Sequence, residues 1–234
     1  EQGQSGAHVS MGDEDFSNPC TPCESTCTVT LPKDMACWNC QKARPAQRCA
    51  DNLFCGSCGQ VQPPAPKCNY FDLMGVSEEK FNLDLKELER KYKALMGKLH
   101  PDRFMTKGEQ PFEFSQAQTS VVNVAYSTLR CPFQRAEYML RRMGVNFEEE
   151  TSSADPEFMM EILEACSRIE DANRDQRELE TVRDEFYLPN LTECSHEFEK
   201  AYSNGDARAA ATVAARMQYL KRMHEQLHEV LNVQ

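Results

Sequence analysis

The amino-acid sequence predicts a mainly α-helical protein with a small zinc-ribbon-like module near its N-terminus. Apolar residues recur at helical spacing from Tyr70 onward, and no convincing series of alternating strands interrupts that pattern. Nine of the 12 cysteines lie between Cys20 and Cys68, in a segment that contains two CxxC pairs. We therefore expect the module to be followed by a helical hairpin and then by a C-terminal three-helix bundle.

The composition divides the 234 residues into six segments. We predict a disordered leader at 1–35, a tetracysteine module at 36–60, a proline-rich linker at 61–69, a hairpin domain at 70–144, an acidic linker at 145–155 and the bundle at 156–234. The leader has neither the apolar core of a signal peptide nor an arginine-rich amphipathic helix. The residues alone therefore do not reveal the localisation.

Charge is distributed unevenly along the chain, which limits the classes of partner. Residues 70–144 contain 12 basic and 10 acidic side chains, a net charge of +2, whereas residues 145–234 contain 9 and 20, a net charge of −11. Nucleic acid is bound by clustered Lys and Arg, so the acidic third argues against nucleic acid as a partner. No apolar run approaches the roughly 20 residues of a membrane-spanning helix, so no membrane partner is expected.

The cysteine module has the spacing of a metal site. Cys37-Trp-Asn-Cys40 is followed, after 14 residues, by Cys55-Gly-Ser-Cys58. Two such pairs can present four thiolates to one tetrahedral Zn²⁺, and four protein ligands leave no open position for zinc chemistry. About 25 residues cannot bury a sufficient core, so one structural zinc would supply most of the folding free energy. A pair of disulfides and a redox-active CxxC are the alternatives.

Other residues around this module have less definite roles. Cys20, Cys23 and Cys27 have a spacing that would also suit metal ligands, and we leave them as possible competitors for the ion. Cys49 and Cys68 have no assigned role. Trp38 is expected to be a packing residue of the module.

The first long helix is predicted over about Asn82–Leu99. Its apolar stripe consists of Leu85, Leu88, Tyr92, Leu95 and Leu99. At ~100° per residue, Lys86, Arg90 and Lys93 fall on the opposite face. Pro101 should end this helix, because the residue before a proline is disfavoured in the α region.

Five more helices are predicted downstream. They span about Pro111–Arg130, Pro132–Gly144, Pro156–Ala172, Arg174–Tyr202 and Ala207–Asn232. Asp155-Pro156-Glu157 combines a cap, a proline at the first helical position and an acid in the first turn. Pro189 falls inside the long middle helix of the bundle and should kink or interrupt it.

The tripeptide His100-Pro101-Asp102 stands in an informative context. It follows a basic amphipathic helix and precedes a helix that ends in NVAYSTLRCPFQRAEYML. This arrangement resembles the J domain of DnaJ-type co-chaperones, which implies stimulation of ATP hydrolysis by a DnaK-class chaperone and makes residues 70–144 a J domain. The implied chaperone-binding residues are His100, Pro101, Asp102, Lys86, Arg90, Lys91, Lys93 and Lys98.

The match is closer to one branch of that family. YFDLMGV, HPDRF and EFMMEILE are similar to HscB, the iron–sulfur cluster co-chaperones, and CWNC with FCGSC is similar to the extra zinc-binding module of their eukaryotic, mitochondrial members. The resemblance implies a location in the mitochondrial matrix and a second partner, the iron–sulfur scaffold protein. The implied scaffold-binding residues are Met159, Met160, Leu163, Glu164 and Tyr219. Methionines at helical spacing are also typical of a core, and Ser167 replaces a further acidic residue of the family's binding helix.

We therefore expect a non-enzymatic adaptor that joins the chaperone to the scaffold and raises their effective concentration. A catalytic His–Asp pair would need a nucleophile or a third group, and none is evident. Two alternatives stay open. A zinc-ribbon nucleic-acid binder would need a basic module, but only Lys42, Arg44 and Arg48 lie between the CxxC pairs. A thiol oxidoreductase would need a metal-free CxxC with reactive thiolates. The sequence also leaves a homodimer open.

Overall fold

The computed structural model describes residues 35–44, 49–65, 68–145, 156–172 and 175–232. These residues form a mainly α-helical protein, as predicted. The helices are α1 (Tyr70–Leu73), α2 (Leu85–Leu99), α3 (Glu109–Arg130), α4 (Pro132–Arg142), α5 (Pro156–Asp171), α6 (Gln176–Val182), α7 (Leu188–Ser203) and α8 (Ala207–Asn232). No helix in these ranges combines the length and the apolar character needed to cross a membrane. Residues 1–34 of the predicted leader, with its three cysteines, and nearly all of the acidic linker lie outside the described residues, whereas Met35 belongs to the module.

The cysteine module consists of two small knuckles, each closed by antiparallel backbone pairing. In the first, strand β1 (Met35–Ala36) pairs with β2 (Ala43–Arg44). In the second, Phe54 forms an antiparallel bridge with Val61, and the N–H of Gln62 donates to the carbonyl of residue 53. The module thus extends to Gln62, beyond the predicted end at residue 60.

The module is held against α3 by an aromatic contact and a buried hydrogen bond. The rings of Trp38 and Phe114 meet edge to face, with centroids 5.8 Å apart. The Gln118 side chain of α3 donates to the carbonyl of Gln62 at 2.9 Å. The predicted packing role of Trp38 therefore extends beyond the module, since its ring also anchors the module to the neighbouring domain.

A second connection joins the module to α1. The N–H of Cys49 donates to the carboxylate of Asp72 at 2.7 Å. Cys49 also forms a disulfide with Cys68, and their Cα atoms are 5.8 Å apart. These two cysteines, which had no role in the sequence analysis, therefore link the module to the segment that leads into the helical domain.

Helices α2 and α3 form the antiparallel hairpin that the sequence predicts. Tyr92 stacks on Tyr126 with ring centroids 4.1 Å apart, and the hydroxyl of Ser115 donates to the carbonyl of Leu99 at 2.7 Å. Residues near the middle of α2 therefore lie beside residues late in α3, and the end of α2 lies beside the start of α3, as in an antiparallel pair.

Helix α2 begins at Leu85, three residues later than the predicted start at Asn82. Asp84 is the reason, because its carboxylate accepts a hydrogen bond from the N–H of Glu87 at 3.0 Å and caps the helix. The C-terminal end agrees with the prediction. His100 has extended backbone angles, and Pro101 opens a short 3₁₀ turn, Pro101–Arg103.

The turn between α3 and α4 is organised by the buried side chain of Arg135. Its guanidinium donates to the carbonyls of Leu129 at 2.6 Å, Phe81 at 2.8 Å and Arg130 at 3.1 Å. Burial lowers the pKa of Arg135 to about 10, so the group is still protonated at neutral pH. The three carbonyls compensate the buried charge and tie the segment before α2 to the end of α3.

The C-terminal bundle consists of α5, the middle helix formed by α6 and α7, and α8. A π-helical segment, Arg183–Tyr187, joins α6 to α7 immediately before Pro189. Proline has no N–H to donate to the preceding turn, and the N–H of Leu188 instead reaches the carbonyl of Arg183. The predicted interruption at Pro189 thus takes the form of a π-helical segment, and the chain stays helical through it.

The bundle packs directly against the preceding helices, with α8 against α4. The rings of Phe81 and Phe198 are both buried, and their centroids lie 4.8 Å apart. Beside them, the carboxylate of Glu199 accepts hydrogen bonds from the N–H groups of Phe81 at 2.5 Å and Asn82 at 2.8 Å. Apolar packing and charge-assisted hydrogen bonds therefore join the two domains at one point.

Candidate metal centre and partner surfaces

The four cysteines of the two CxxC pairs converge on one point, as predicted. Their Sγ atoms all lie within 4.8 Å of one another. The Sγ atoms of Cys37 and Cys58 are 3.7 Å apart, and those of Cys40 and Cys55 are 3.8 Å apart. Four sulfurs at about 2.3 Å from one tetrahedral zinc ion would be about 3.8 Å apart. The sulfur arrangement therefore fits a single tetrahedral metal ion with four protein ligands.

Backbone and side-chain N–H groups point at the two buried sulfurs. Gln62 Nε2 donates to Cys37 Sγ at 3.3 Å, and the N–H of Ser57 donates to Cys55 Sγ at 3.4 Å. Burial raises the pKa of Cys37, but the N–H groups of Cys40 and residue 39 outweigh it and lower the value to about 6. The N–H groups of residues 58 and 57 lower the pKa of Cys55 as well. Both sulfurs are therefore prepared to act as thiolates.

The thiol of Cys40 behaves in the opposite way. The N–H of Lys42 lowers its pKa, but burial and the three neighbouring thiols raise it to about 11. Four sulfurs this close cannot all carry a negative charge unless a cation lies between them. A divalent ion would supply that charge, and the closed set of four sulfurs gives it a structural role.

The HPD loop, which we define as His100–Lys107, is held by buried contacts on its inner side, whereas its polar side chains are exposed to solvent. The carbonyl of Leu99, just before it, accepts hydrogen bonds from Ser115 at 2.7 Å and Thr119 at 3.3 Å. Phe104 is buried beneath the loop with 4 % of its surface exposed. The side chains of the predicted pair at positions 100 and 102 remain 53 % and 76 % exposed, with His100 Nδ1 and Asp102 Oδ2 3.4 Å apart.

The predicted basic face of α2 is only partly free. Lys86 and Lys98 are exposed. Arg90 and Lys93 are also exposed but pair with acids of the same helix, at 2.6 Å and 2.5 Å. Such exposed pairs contribute little free energy and can open for a partner. Lys91 differs, because its Nζ donates to the carbonyl of Gly75 at 2.8 Å and ties α2 to the turn after α1.

The five predicted scaffold-binding residues lie on α5 and α8, which pack against each other. Met160 is 72 % and Leu163 is 64 % exposed, although both are large apolar side chains. Glu164 is exposed beside them, and Met159 and Tyr219 are half-buried. The core of α5 is made by other residues, namely Phe158, Ile162, Ala165 and Ile169.

The alternative that these apolar residues belong to the core is therefore wrong for Met160 and Leu163. In the part of the chain that the structure describes, only Met105 is a comparably exposed large apolar residue. Tyr219 lies one turn after Arg216, whose guanidinium is 4.8 Å from the ring of Phe158 on α5. Met160 and Leu163 thus lie on α5, and Tyr219 lies on the adjacent helix α8.

Several residues that organise these sites escaped the sequence analysis. Gln62 was assigned to a proline-rich linker, yet it is fully buried and contacts a metal-ligand sulfur. Gln118 looks like an ordinary polar position of a helix. The burial of Gln118 could have been predicted from its helical position, because it lies on the same side of α3 as the buried Ser115, Val122 and Ala125.

Comparison with known proteins gives this architecture a family. Residues 154–228 match a family model described as the HSCB C-terminal oligomerisation domain. The iron-sulfur cluster co-chaperone protein HscB of Mus musculus is 34 % identical over 195 residues, which cover 82 % of this chain and 80 % of the mouse protein. The HscB homolog of Arabidopsis thaliana is 33 % identical over 191 residues, covering 82 % of this chain and 72 % of that protein.

Solved structures agree with the sequence comparison. The crystal structure of human co-chaperone protein HscB matches with a TM-score of 0.75 and 26 % identity, covering 86 % of this chain and all (100 %) of the human chain. The chaperone HscB from Vibrio cholerae matches with a TM-score of 0.60 and 25 % identity, covering 70 % of this chain and 98 % of that chain. The bacterial match covers less of this chain than the human one. Fold, sequence and tetracysteine site together show that this protein belongs to the HscB family of iron–sulfur cluster co-chaperones.

Proposed function

We propose that this protein is an adaptor of iron–sulfur cluster assembly in the mitochondrial matrix, and that it is not itself an enzyme. Its J domain stimulates the ATPase of a DnaK-class chaperone, and its C-terminal bundle delivers the cluster scaffold protein to that chaperone. The proposal rests on the family, on the predicted residues and on eukaryotic relatives that cover most of this chain. One structural zinc ion in the tetracysteine site completes the proposal.

The observation that carries the chaperone role is the contrast within the HPD loop. Its supporting residues are buried and hydrogen-bonded, whereas the side chains of His100 and Asp102 are exposed and do not contribute to packing. Pro101 fixes the corner between them. A loop that is held rigid while its polar side chains face solvent can bind a second protein with little loss of conformational entropy.

The exposed pair on α5 carries the scaffold role. Met160 and Leu163 lie one turn apart and expose apolar surface that the bundle does not use for its own core. Apolar side chains of this size are typical anchors at an interface, and methionine adapts readily to a partner surface. Glu164 adds one charge beside them, and Ser167 is neutral, so apolar contacts should contribute most of the binding free energy.

The substitution His100→Gln tests the chaperone role. We expect the variant to lose nearly all stimulation of the ATPase while its free energy of unfolding changes by less than about 0.5 kcal/mol, because the side chain is exposed. His196→Gln is the matched control, since His196 is an exposed histidine of α7 far from the HPD loop in sequence. Equal stimulation by His100→Gln and the unmodified protein, at matched concentrations, would refute the J-domain function.

A further inference from the structure

A cleft of about 420 Å³ opens between the second knuckle of the module and the J domain. One wall belongs to the knuckle and consists of Phe54, Cys58, Gly59 and Gln60. The other wall belongs to the end of α2 and the HPD loop and consists of Lys98, Arg103, Phe104 and Lys107. The cleft therefore exists only because the module is docked against the J domain.

The charged side chains on the HPD-loop wall of the cleft are all cations, and the knuckle wall contributes the sulfur of Cys58, which faces the metal site. Lys98, Arg103 and Lys107 are exposed cations, and no acidic side chain is among the lining residues. Arg103 donates to the carbonyl of Gly97, and the Nζ of Lys107 lies 4.7 Å from the centre of the Phe104 ring. These contacts orient the cations without neutralising them. The cleft consequently attracts anionic groups.

Both walls are fixed before any ligand binds. The knuckle wall is anchored through Gln62, which accepts from Gln118 and donates to Cys37 Sγ. The opposite wall stands on the buried ring of Phe104 and on the hydrogen bonds to the carbonyl before His100. Because Gln62 and Cys58 belong to the metal site or contact it, the position of the knuckle wall depends on the four cysteines being held together.

We propose that this cleft binds an acidic, extended peptide segment of the DnaK-class chaperone, so that the zinc module supplies one wall of the chaperone-binding site. The inference rests on the proposed function. The volume of the cleft admits a few side chains, and the three cations of its lining can pair with carboxylates. Arg103 and Phe104 directly follow the exposed pair at positions 100 and 102, so a ligand in the cleft belongs to the protein that contacts that pair.

Nucleic acid fits the cleft less well than an acidic peptide does. Single-stranded RNA or DNA is bound by bases that stack on accessible aromatic rings. Phe104 is 4 % exposed and Phe54 is half-buried, so the cleft lacks the series of open rings on which successive bases would stack. The half-buried Phe54 does offer apolar surface to a side chain such as leucine between two acidic residues.

The test is the substitution Gln60→Glu, which places one carboxylate in the knuckle wall. The side chain of Gln60 is only partly buried, and the backbone carbonyl that accepts from Cys55 and Gln62 is retained. We expect the co-chaperone concentration for half-maximal ATPase stimulation to rise about threefold to tenfold at low salt, with the maximal rate unchanged. The increase should shrink at high salt, where charges are screened within a few ångströms.

Gln116→Glu is the matched control, since Gln116 is an exposed amide on α3 that does not line the cleft. It should leave the half-maximal concentration unchanged. Lys107→Ala changes the opposite wall and should also raise the half-maximal concentration. Because Lys107 lies outside the knuckle, an effect of this variant cannot come from misfolding of the knuckle. Zinc content and circular dichroism of each variant are measured alongside.

A direct probe identifies the ligand class. The peptide Glu-Glu-Leu-Glu-Glu should inhibit the stimulation, whereas Gln-Gln-Leu-Gln-Gln should not, and an RNA hexamer should inhibit less than the acidic peptide. Stronger inhibition by the RNA would overturn the peptide assignment. Half-maximal concentrations that stay at the unmodified value for both Gln60→Glu and Lys107→Ala would overturn the cleft, even if His100→Gln is inactive and the J-domain function therefore stands.

Discussion

The cysteine module and the C-terminal bundle are stabilised in different ways. The described part of the module buries few apolar side chains besides its cysteines, chiefly Leu53 and Val61. The bundle buries a long series of them, including Ile169, Leu191 and Phe198. So small a core is insufficient for a segment of this size, and the proposed metal ion would supply the missing free energy, whereas four packed helical segments bury enough apolar surface without a metal. Apolar residues outside the core are therefore expected to have different roles in the module and in the bundle.

In the module, apolar surface packs against α3, as the ring of Trp38 does on Phe114. In the bundle, the core is already complete without Met160 and Leu163. Apolar surface that a complete core leaves exposed is available for a partner. The comparison thus predicts a structural task for the module and a binding task for the exposed residues of α5, and three experiments test this prediction.

The largest effect is expected from loss of the metal. Replacing Cys55 and Cys58 together with serine should abolish zinc binding and unfold the module, because structural zinc contributes on the order of 10 kcal/mol. Trp38 is the sole tryptophan, so its fluorescence reports on the module alone. Far-ultraviolet circular dichroism should retain the signal of the helices.

The control for this experiment is Cys166→Ser, because Cys166 lies on α5, away from the four sulfurs. It should retain one equivalent of zinc under reducing, metal-replete conditions. Full zinc retention by the double variant, or simultaneous loss of the module and of the bundle, would contradict the division between a metal-held region and a core-held region.

A smaller effect is expected from truncating the core of the bundle. Phe198→Ala should lower the free energy of unfolding by about 3–5 kcal/mol, because the ring is fully buried and packs on Phe81. Denaturant titration measures the change. Leu163→Ala removes apolar atoms from a side chain that is 64 % exposed and should cost less than about 0.5 kcal/mol. Equal costs for the two variants would remove the distinction between core and surface.

The smallest expected effect is a binding effect without a stability effect. Replacing Met160 and Leu163 together with alanine should weaken scaffold binding at least about tenfold, roughly 1.4 kcal/mol, while the bundle stays folded. Titration calorimetry measures the affinity. Met105→Ala, at an exposed methionine of the HPD loop, should leave scaffold affinity unchanged. A folded double variant with the original affinity would exclude these two residues from the interface.

Local features of the fold could be predicted from the sequence because their causes are local. Ala207–Asn232 has the predicted bounds, since Asn204-Gly205-Asp206 supplies both the stop and the next cap. The convergence of the four cysteines could be predicted from the spacing of the two CxxC pairs alone. The start of α2 was predicted three residues early because apolar periodicity does not reveal which residue caps the helix, and Asp84 does so.

Features that join distant segments could not be predicted in the same way. Gln62 and Gln118 are 56 positions apart in sequence, and nothing in either segment specifies the other. The same holds for the cleft between the knuckle and the HPD loop, which depends on how two folded units dock. A core position for Met160 also could not be excluded until its exposure was known.

The hydrogen bond from Phe81 to Glu199 also bears on the order of folding, because it joins residues 118 positions apart. Closing a loop of that length costs on the order of 4 kcal/mol of chain entropy, and contacts of this kind form slowly. The hairpin and the bundle can form early from neighbouring residues, and the cost falls once each has become compact. Their docking is then expected as the last step, so the HPD loop and the exposed residues of α5 reach their final relative orientation in one event.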